Sequence, residues 1–311
     1  DQTIKFKEFD LTAYKPFIGH IYEESLLGDL IDSALVLSDQ KTTVINFNDN
    51  TPDKKACTFL KEKFNQIDLI MLNYNAAGPY PSCFDNLSEK EKKNEHDRII
   101  KRNFDYICEL VPILEPKSTL PFAGSYIIGG KNSYKNDYLG TTTWDECAEY
   151  LKKNLTTETN VICLRENDTF DISNQKHETK YENIDLEDMK NYIHTIKNNK
   201  YDYEMDDRPE IQKLNDDTKK AAEKFIERLK KFNIKIKTNV FIEIDEKQIP
   251  VLKGVESDRK LYCKMDNKLL RRILDKKAHW NNAEIGTHIT FKRYPNKMEP
   301  DVHTVMSFFH L

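Results

Sequence analysis

Apolar positions in this chain recur with two periods, every second residue or every third and fourth, and the period changes at short polar breaks. Residues 31–37 (IDSALVL) and 42–47 (TTVINF) read as two strands joined by a polar turn at 38–41, the second ending at Asn48 and Asp49. Residues 1–23 are also strand-like, with Ile4, Phe6 and Phe9 among polar neighbours. Beyond Asp49, Thr51 suits a helix cap, Pro52 the first helical position and Asp53 the positive dipole end, so a helix is predicted from there to about residue 65. The uninterrupted run IDLIMLN over 67–73 predicts a strand covered on both faces. Strand, helix, strand is the repeating unit of an α/β layer. A loop rich in Gly, Pro and Asn follows over 74–84. A long helix is predicted over 88–114, charged at first and then apolar at Ile99, Ile100, Phe104, Ile107, Leu110 and Val111. Residues 118–122 return to a strand, Thr143 and Glu146 have capping-box spacing, and 161–165 read as a further short strand.

Residues 174–215 carry few apolar positions and many Asn, Asp, Lys and Glu, which predicts a partly ordered connection with one short helix near 186–196. Beyond it, a helix over 217–232 gathers Ala221, Phe225, Ile226 and Leu229 on one face. Strands at 238–244 and 260–263, a helix over 267–276 and a strand over 285–291 complete the pattern. The expected fold class is α/β, organised as a first region 1–173, a polar linker 174–215 and a smaller α+β module 216–311.

Composition narrows the picture. At 311 residues, with 38% hydrophobic and 11% aromatic positions, the chain has enough apolar side chains for packed cores in two domains. A charged share of 32% and a mean hydropathy of −0.72 require a very polar surface. The net charge of −4 gives no global field toward nucleic acid or an anionic membrane. Basic runs at 219–237 and 268–277 alternate with acids or apolar residues and read as solvated faces, with nucleic-acid binding the minor alternative. The six cysteines are scattered without a C-x-x-C pair, which argues against a zinc knuckle or a disulfide framework and for reduced thiols in a cytoplasmic protein. No apolar run in these residues is long enough to span a membrane, and no signal peptide is expected. A chain opening on Asp1 rather than Met is expected to be part of something longer.

Asp49 is the leading candidate for chemistry. A carboxylate at the end of a mostly apolar strand is a common place for a metal ligand or catalytic base; the alternative, favoured by the local sequence alone, is a cap for the next helix. Asp32 suits a turn or strand edge, and Asn48 can orient Asp49. The corner from Pro121 to Tyr126 reads two ways. Gly124 can let backbone approach a ligand while Ser125 or Tyr126 points into a site, or the corner is a tight turn where only Gly fits. In the preceding loop, Tyr74, Asn75 and Tyr80 can contact a sugar or base, with a structural Ω-type loop as the alternative. In the last module His279, His288 and Arg293 can surround an anionic group, but a docking surface formed by Trp280, Phe308 and Phe309 is the favoured reading. His20 reads as a core residue, and His303 and His310 match no ligand spacing.

The strand ending at Asp49, taken with the Pro121-Phe122-Ala123-Gly124 corner, resembles the second half of a metallo-β-lactamase fold, nearest to its CMP-N-acetylneuraminate hydroxylase-like branch. Trp280 ahead of a strand and Arg293-Tyr294-Pro295 after it resemble that branch more weakly. The resemblance implies half of an αββα metallo-β-lactamase-like sandwich, with Asp49 as a metal ligand. It also implies Tyr74, Asn75, Tyr80, Gly124, Ser125 and Tyr126 as substrate-binding residues. It further implies a divalent metal in the complete protein, zinc first and manganese or iron as alternatives, generating a hydroxide for hydrolysis. The chain departs from the pattern in having no His-x-His-x-Asp-His and no Cys-x-His with Cys-x-x-His of a Rieske centre. The expectation is therefore the carboxy-terminal part of a metal-dependent hydrolase, with the His cluster supplied by a preceding segment or partner chain. No metal is expected in this chain alone, and Rieske monooxygenase chemistry is not supported. The implied substrate is a small molecule, nucleotide or sugar derived by analogy with the branch. The alternative is a metal-free binding or scaffold module within a larger assembly.

Overall fold

The computed structural model describes residues 2–17, 33–39, 41–256 and 258–311. His20 and Asp32 fall outside the described residues. The molecule is of the mixed α/β class, and its contacts divide the chain into two units. The first comprises Asp1–Ala76, Asp97–Tyr126 and Thr141–Met189, the second Ala77–His96, Ile127–Gly140 and Lys190–Leu311. Among the described residues no helix is long and apolar enough to cross a membrane.

The first unit is built on a seven-stranded sheet in chain order: β1 (Gln2–Phe6), β2 (Phe9–Tyr14), β3 (Ala34–Ser38), β4 (Thr43–Asn46), β5 (Leu69–Asn73), β6 (Ser118–Phe122) and β7 (Asn160–Val161). Pairing is antiparallel from β1 to β4 and parallel from β4 to β7. Parallel neighbours need crossovers, here α1 (Lys54–Lys63), α2 (Glu89–Leu114) and α3 (Trp144–Asn154). Right-handed crossovers between strands laid down in sequence put all three helices on one face. Tyr14, Val36, Ile45, Ile70 and Leu72 accordingly share a core with Leu60, Phe104, Ile107, Leu110 and Leu151. Full burial of each such side chain contributes about 1.5–3 kcal/mol.

The alternate positions of the same strands are also apolar. Register places Leu11, Leu37, Val44 and Leu69 in one row, and Leu35, Asn46, Met71 and Leu120 in the next. Leu164, Phe170 and Ile172 cover one end of this second face, where β8 (Phe170–Asp171) pairs with β9 (Lys176–His177). Val44, Met71 and Phe122 pack against the same cluster and are half-buried, while among the described residues the cover thins toward Leu11 and Leu37, half-buried, and Leu35, 41% exposed.

Local signals held where one stretch of chain decides the outcome. The capping box of α3 is present, with Thr143 and Glu146 exchanging bonds, and α4 (Leu186–Ile196) lies where predicted. The helix after Asp49 starts later than expected. A turn intervenes (Asn50 N–H to Phe47 O, 2.8 Å; Thr51 N–H to Asp49 O, 3.0 Å), so Asp53 becomes the cap and accepts from Ala56 N–H at 2.7 Å. Neither Thr51 nor Asp49 caps it. β7 covers only Asn160–Val161, shorter than the predicted 161–165.

The second unit holds a four-stranded sheet ordered β11–β10–β12–β13, from β10 (Asn239–Ile244), β11 (Lys247–Leu252), β12 (Lys260–Lys264) and β13 (Thr290–Tyr294). Its helices are α5 (Ile211–Lys231), α6 (Asn267–Leu274), α7 (Trp280–Ile285) and α8 (Pro300–Met306). α5 begins at Ile211 rather than 217, because Leu214 extends its buried stripe N-terminally from Ala221, Phe225 and Leu229. β11 escaped prediction because Pro250 interrupts it. The strand lies at the sheet edge, beside a bulge at Val240/Phe241, where a missing N–H is tolerated. Ile285, expected in a strand, ends α7 instead; the chain turns at Gly286 and Thr287 and the strand starts at Thr290. Trp280 is buried, its ring 5.9 Å edge-on from Phe309 and its indole N–H donating to Glu284 at 2.6 Å.

Candidate functional site at the strand ends

In the first unit, parallel β4, β5 and β6 deliver their carboxyl ends to one edge of the sheet, the place where open α/β sheets assemble sites. Asn46 ends β4 and accepts from Asn48 N–H at 2.9 Å, while Asn48 itself is left-handed (φ 49°), a conformation Asn tolerates. This turn leaves Asp49 exposed. Asn50 anchors the turn from below: its carbonyl accepts from Phe17 N–H at 2.8 Å and its amide donates to Lys15 O at 3.1 Å.

Asn73, the last residue of β5, donates from Nδ2 to Asp49 Oδ1 at 3.1 Å and accepts from Asn75 N–H at 2.9 Å. Asn75 is 7% exposed and uses its whole amide within the fold. Its Nδ2 donates to Gly124 O at 3.0 Å and Thr142 O at 2.8 Å, and its Oδ1 accepts from Thr142 N–H at 3.0 Å. Ser125 Oγ donates to Thr142 O at 2.8 Å. At Gly124 (φ 124°) an added Cβ would lie 2.7 Å from Asn75 Cβ, so both backbone conformation and close approach require glycine. Tyr74 is buried, and burial pushes its phenol well above the usual tyrosine range while Ser125 acts in the opposite direction. The Tyr126 hydroxyl is buried as well.

Asp49, Asn73, Asn75, Gly124, Ser125 and Thr142 thus form one hydrogen-bonded edge. Tyr80 belongs to the second unit, where its hydroxyl donates to Glu95 at 2.8 Å and its ring lies 5.1 Å from Phe84. Asn46, Asn73 and Thr142 were not singled out from the sequence. The available signal was an amide ending each of two apolar strands; that Thr142 joins them depends on a long-range contact. In the second unit, His288 faces Tyr203 (Nδ1 to OH, 3.2 Å) and Tyr201 (rings 4.4 Å apart), and burial holds its pKa down. Arg293 stacks on Tyr80 and Phe84, so the two residues share none of these ring partners.

As a metal centre, the strand-end edge is incomplete. Asp49 is its charged donor, and Asn73 turns N–H toward that carboxylate rather than a lone pair toward an ion. Zinc at protein sites draws on three or more protein donors. Among the described residues no group of three His, Cys, Asp or Glu is placed to hold one. What the edge does offer is one carboxylate flanked by fixed amides, a surface suited to hydrogen bonding a polar ligand.

No protein-family model matches the chain, and no curated protein sequence matches it. Among solved structures, a point mutant of CmlA beta-hydroxylase is similar over 53% of this chain and 31% of its own length, at 15% identity and a TM-score of 0.32. The chain therefore spans about a third of that protein's length.

Proposed function

We propose that the first unit is the carboxy-terminal sheet of a metallo-β-lactamase-like αββα sandwich. In this proposal it serves a metal-dependent hydrolase whose His cluster comes from a preceding segment or partner chain. The second apolar face carries this reading: among the described residues Leu11, Leu35 and Leu37 continue the row of Val44 and Met71 beyond the cluster that covers its other end, a surface suited to cover by a second sheet. Asp49 stands beside the strand ends of that face and is this chain's contribution to the metal, with zinc first and manganese or iron as alternatives. Asn73 positions Asp49 by its 3.1 Å bond. Tyr74 and Asn75 hold the corner, and Ser125 and Tyr126 border the substrate, a small molecule of nucleotide or sugar type. In this chain alone the donors do not suffice for a metal, so no catalytic step is assigned to its residues.

A second reading, a metal-free binding or scaffold module, is favoured by the amide-rich edge and by the lack of a three-donor group among the described residues. The two separate on one preparation. The polypeptide is purified from its native cell, its intact mass, N-terminal sequence and co-purifying chains are determined, and metal is quantified after chelation and dialysis. The hydrolase reading expects a longer polypeptide or tight partner, stoichiometric metal, and loss of that metal in Asp49→Ala with the fold intact. Metal-free protein without a partner refutes it and supports the binding module.

A further inference from the structure

We propose that Cys83 and Lys135 of the second unit form a reversible oxygen-bridged cross-link, Sγ–O–Nζ, when the protein meets dioxygen. Cys83 lies in the loop between β5 and α2 and is 1% exposed; Lys135 lies in the 3₁₀ segment Gly130–Tyr138 and is 4% exposed. The Lys135 amine donates to Cys83 Sγ at 3.6 Å and to Thr287 O at 2.7 Å. The Ser82 hydroxyl donates to the same sulfur at 3.6 Å. Lysine is among the residues least often buried without an ionic partner, yet among the described residues no carboxylate forms an ion pair with Lys135. The sulfur stands where a counter-ion is ordinarily found. Burial raises the Cys83 thiol while Lys135 acts in the opposite direction, so the two groups are electrostatically coupled.

An oxidised cysteine sulfur condenses with a nitrogen held within reach, and here an amine is fixed against it. The thiol, the free-base amine and one dioxygen give the bridge and one water. The S–H bond, one N–H bond and the O=O bond break; one S–O and one N–O bond form. One oxygen atom stays between sulfur and nitrogen, and the other leaves as water with both hydrogens. Sulfur and nitrogen each give up two electrons, so dioxygen is reduced by four. A shielded sulfur is closed to bulky reagents, whereas dioxygen is small and apolar enough to enter a protein core. Insertion of the oxygen draws Sγ and Nζ closer than their present 3.6 Å, a shift that the flexible stem of lysine absorbs. The bridge joins positions 52 residues apart, closing a large covalent ring within the unit and making its resistance to unfolding depend on redox state.

The cross-link concerns the second unit alone and does not depend on the hydrolase reading of the first. For the test, the full chain is purified under argon with a thiol reductant, freed of it, and divided between anaerobic and air-saturated buffer. Intact mass, and peptide maps made without reductant, are compared for the parent, Cys83→Ser and Lys135→Arg. In air the parent should gain one oxygen and lose two hydrogens, and its map should contain one joined peptide pair carrying Cys83 and Lys135. Reductant should restore the original mass, and the bridged form should unfold at higher urea than the reduced form. Neither variant should yield the joined pair. An air-exposed parent without that pair overturns the proposal, and this result stands even where a variant fails to fold. So does Cys83 oxidised to sulfinic acid with Lys135 left free, or a pair joined without the added oxygen.

Discussion

Asn75→Ala removes a buried amide that joins the end of β5 to two other stretches of the first unit. Its side chain donates to Gly124 O and Thr142 O at 3.0 and 2.8 Å and accepts from Thr142 N–H at 3.0 Å. The Thr142 carbonyl keeps a second donor in Ser125 Oγ, so its loss is the smallest. The Gly124 carbonyl and the Thr142 N–H lose their Asn75 partner while half-buried. At about 1 kcal/mol per bond, with a further penalty where a shielded group is left unpaired, the expected loss is about 2–3 kcal/mol. The assay is urea unfolding followed by Trp144, the tryptophan of the first unit, in a Trp280→Phe background, with stability read from the midpoint at unchanged slope. Asn75→Asp sharpens the test. It keeps the acceptor for Thr142 N–H but aims a carboxylate oxygen at two carbonyls, so at neutral pH it should destabilise at least as much as alanine. It should partly recover in acid, where the protonated acid donates again. A loss within about 0.5 kcal/mol for alanine, or wild-type stability for the aspartate at neutral pH, would refute this account of the corner.

Gly124→Ala should cost more than an ordinary surface substitution, since it meets both a φ of 124° and the Asn75 Cβ at 2.7 Å; the same unfolding assay measures it. Thr143→Ala opens the capping box of α3 and should lower stability by about 1 kcal/mol. At Asp68, burial raises the pKa, but the Lys117 ammonium at 2.7 Å, Thr43 N–H at 2.8 Å and Gln66 at 3.0 Å outweigh it, leaving the pKa lowered. A depressed folded pKa means that this stabilisation is present above the ordinary aspartate value and is lost as pH falls through the folded one. Unfolding midpoints between neutral and acid pH should therefore fall less steeply in Asp68→Asn than in the parent. Burial pushes the Cys57 thiol up to about 12 and the Cys163 thiol to about 11, and it raises Cys147 and Cys263 strongly. These four should resist a thiol reagent at pH 8 in the folded protein and react fully in denaturant.

Elements made by one continuous stretch of chain were legible in the amino-acid order. The strands around Val36, Ile45 and Ile70, the long helix ending at Leu114, the Thr143–Glu146 box and the helix Leu186–Ile196 all follow from local periodicity and capping chemistry. The order of the elements sufficed for the α/β class, because apolar strands alternating with amphipathic helices bury both partners most readily as a parallel layer. Tertiary structure decided what local sequence left balanced. Asp49 does not cap α1, because a turn intervenes and Asp53 takes that place. Gly124 is demanded both by its backbone and by Asn75, a residue distant in sequence. Pro250 is admitted to a strand because β11 is an edge, a property of the assembled sheet. The grouping of Ala77–His96 and Ile127–Gly140 with the carboxy-terminal stretch is likewise set by long-range packing. Periodicity reports which face of a segment seeks burial, but the partner that supplies the burial is chosen only when distant segments meet.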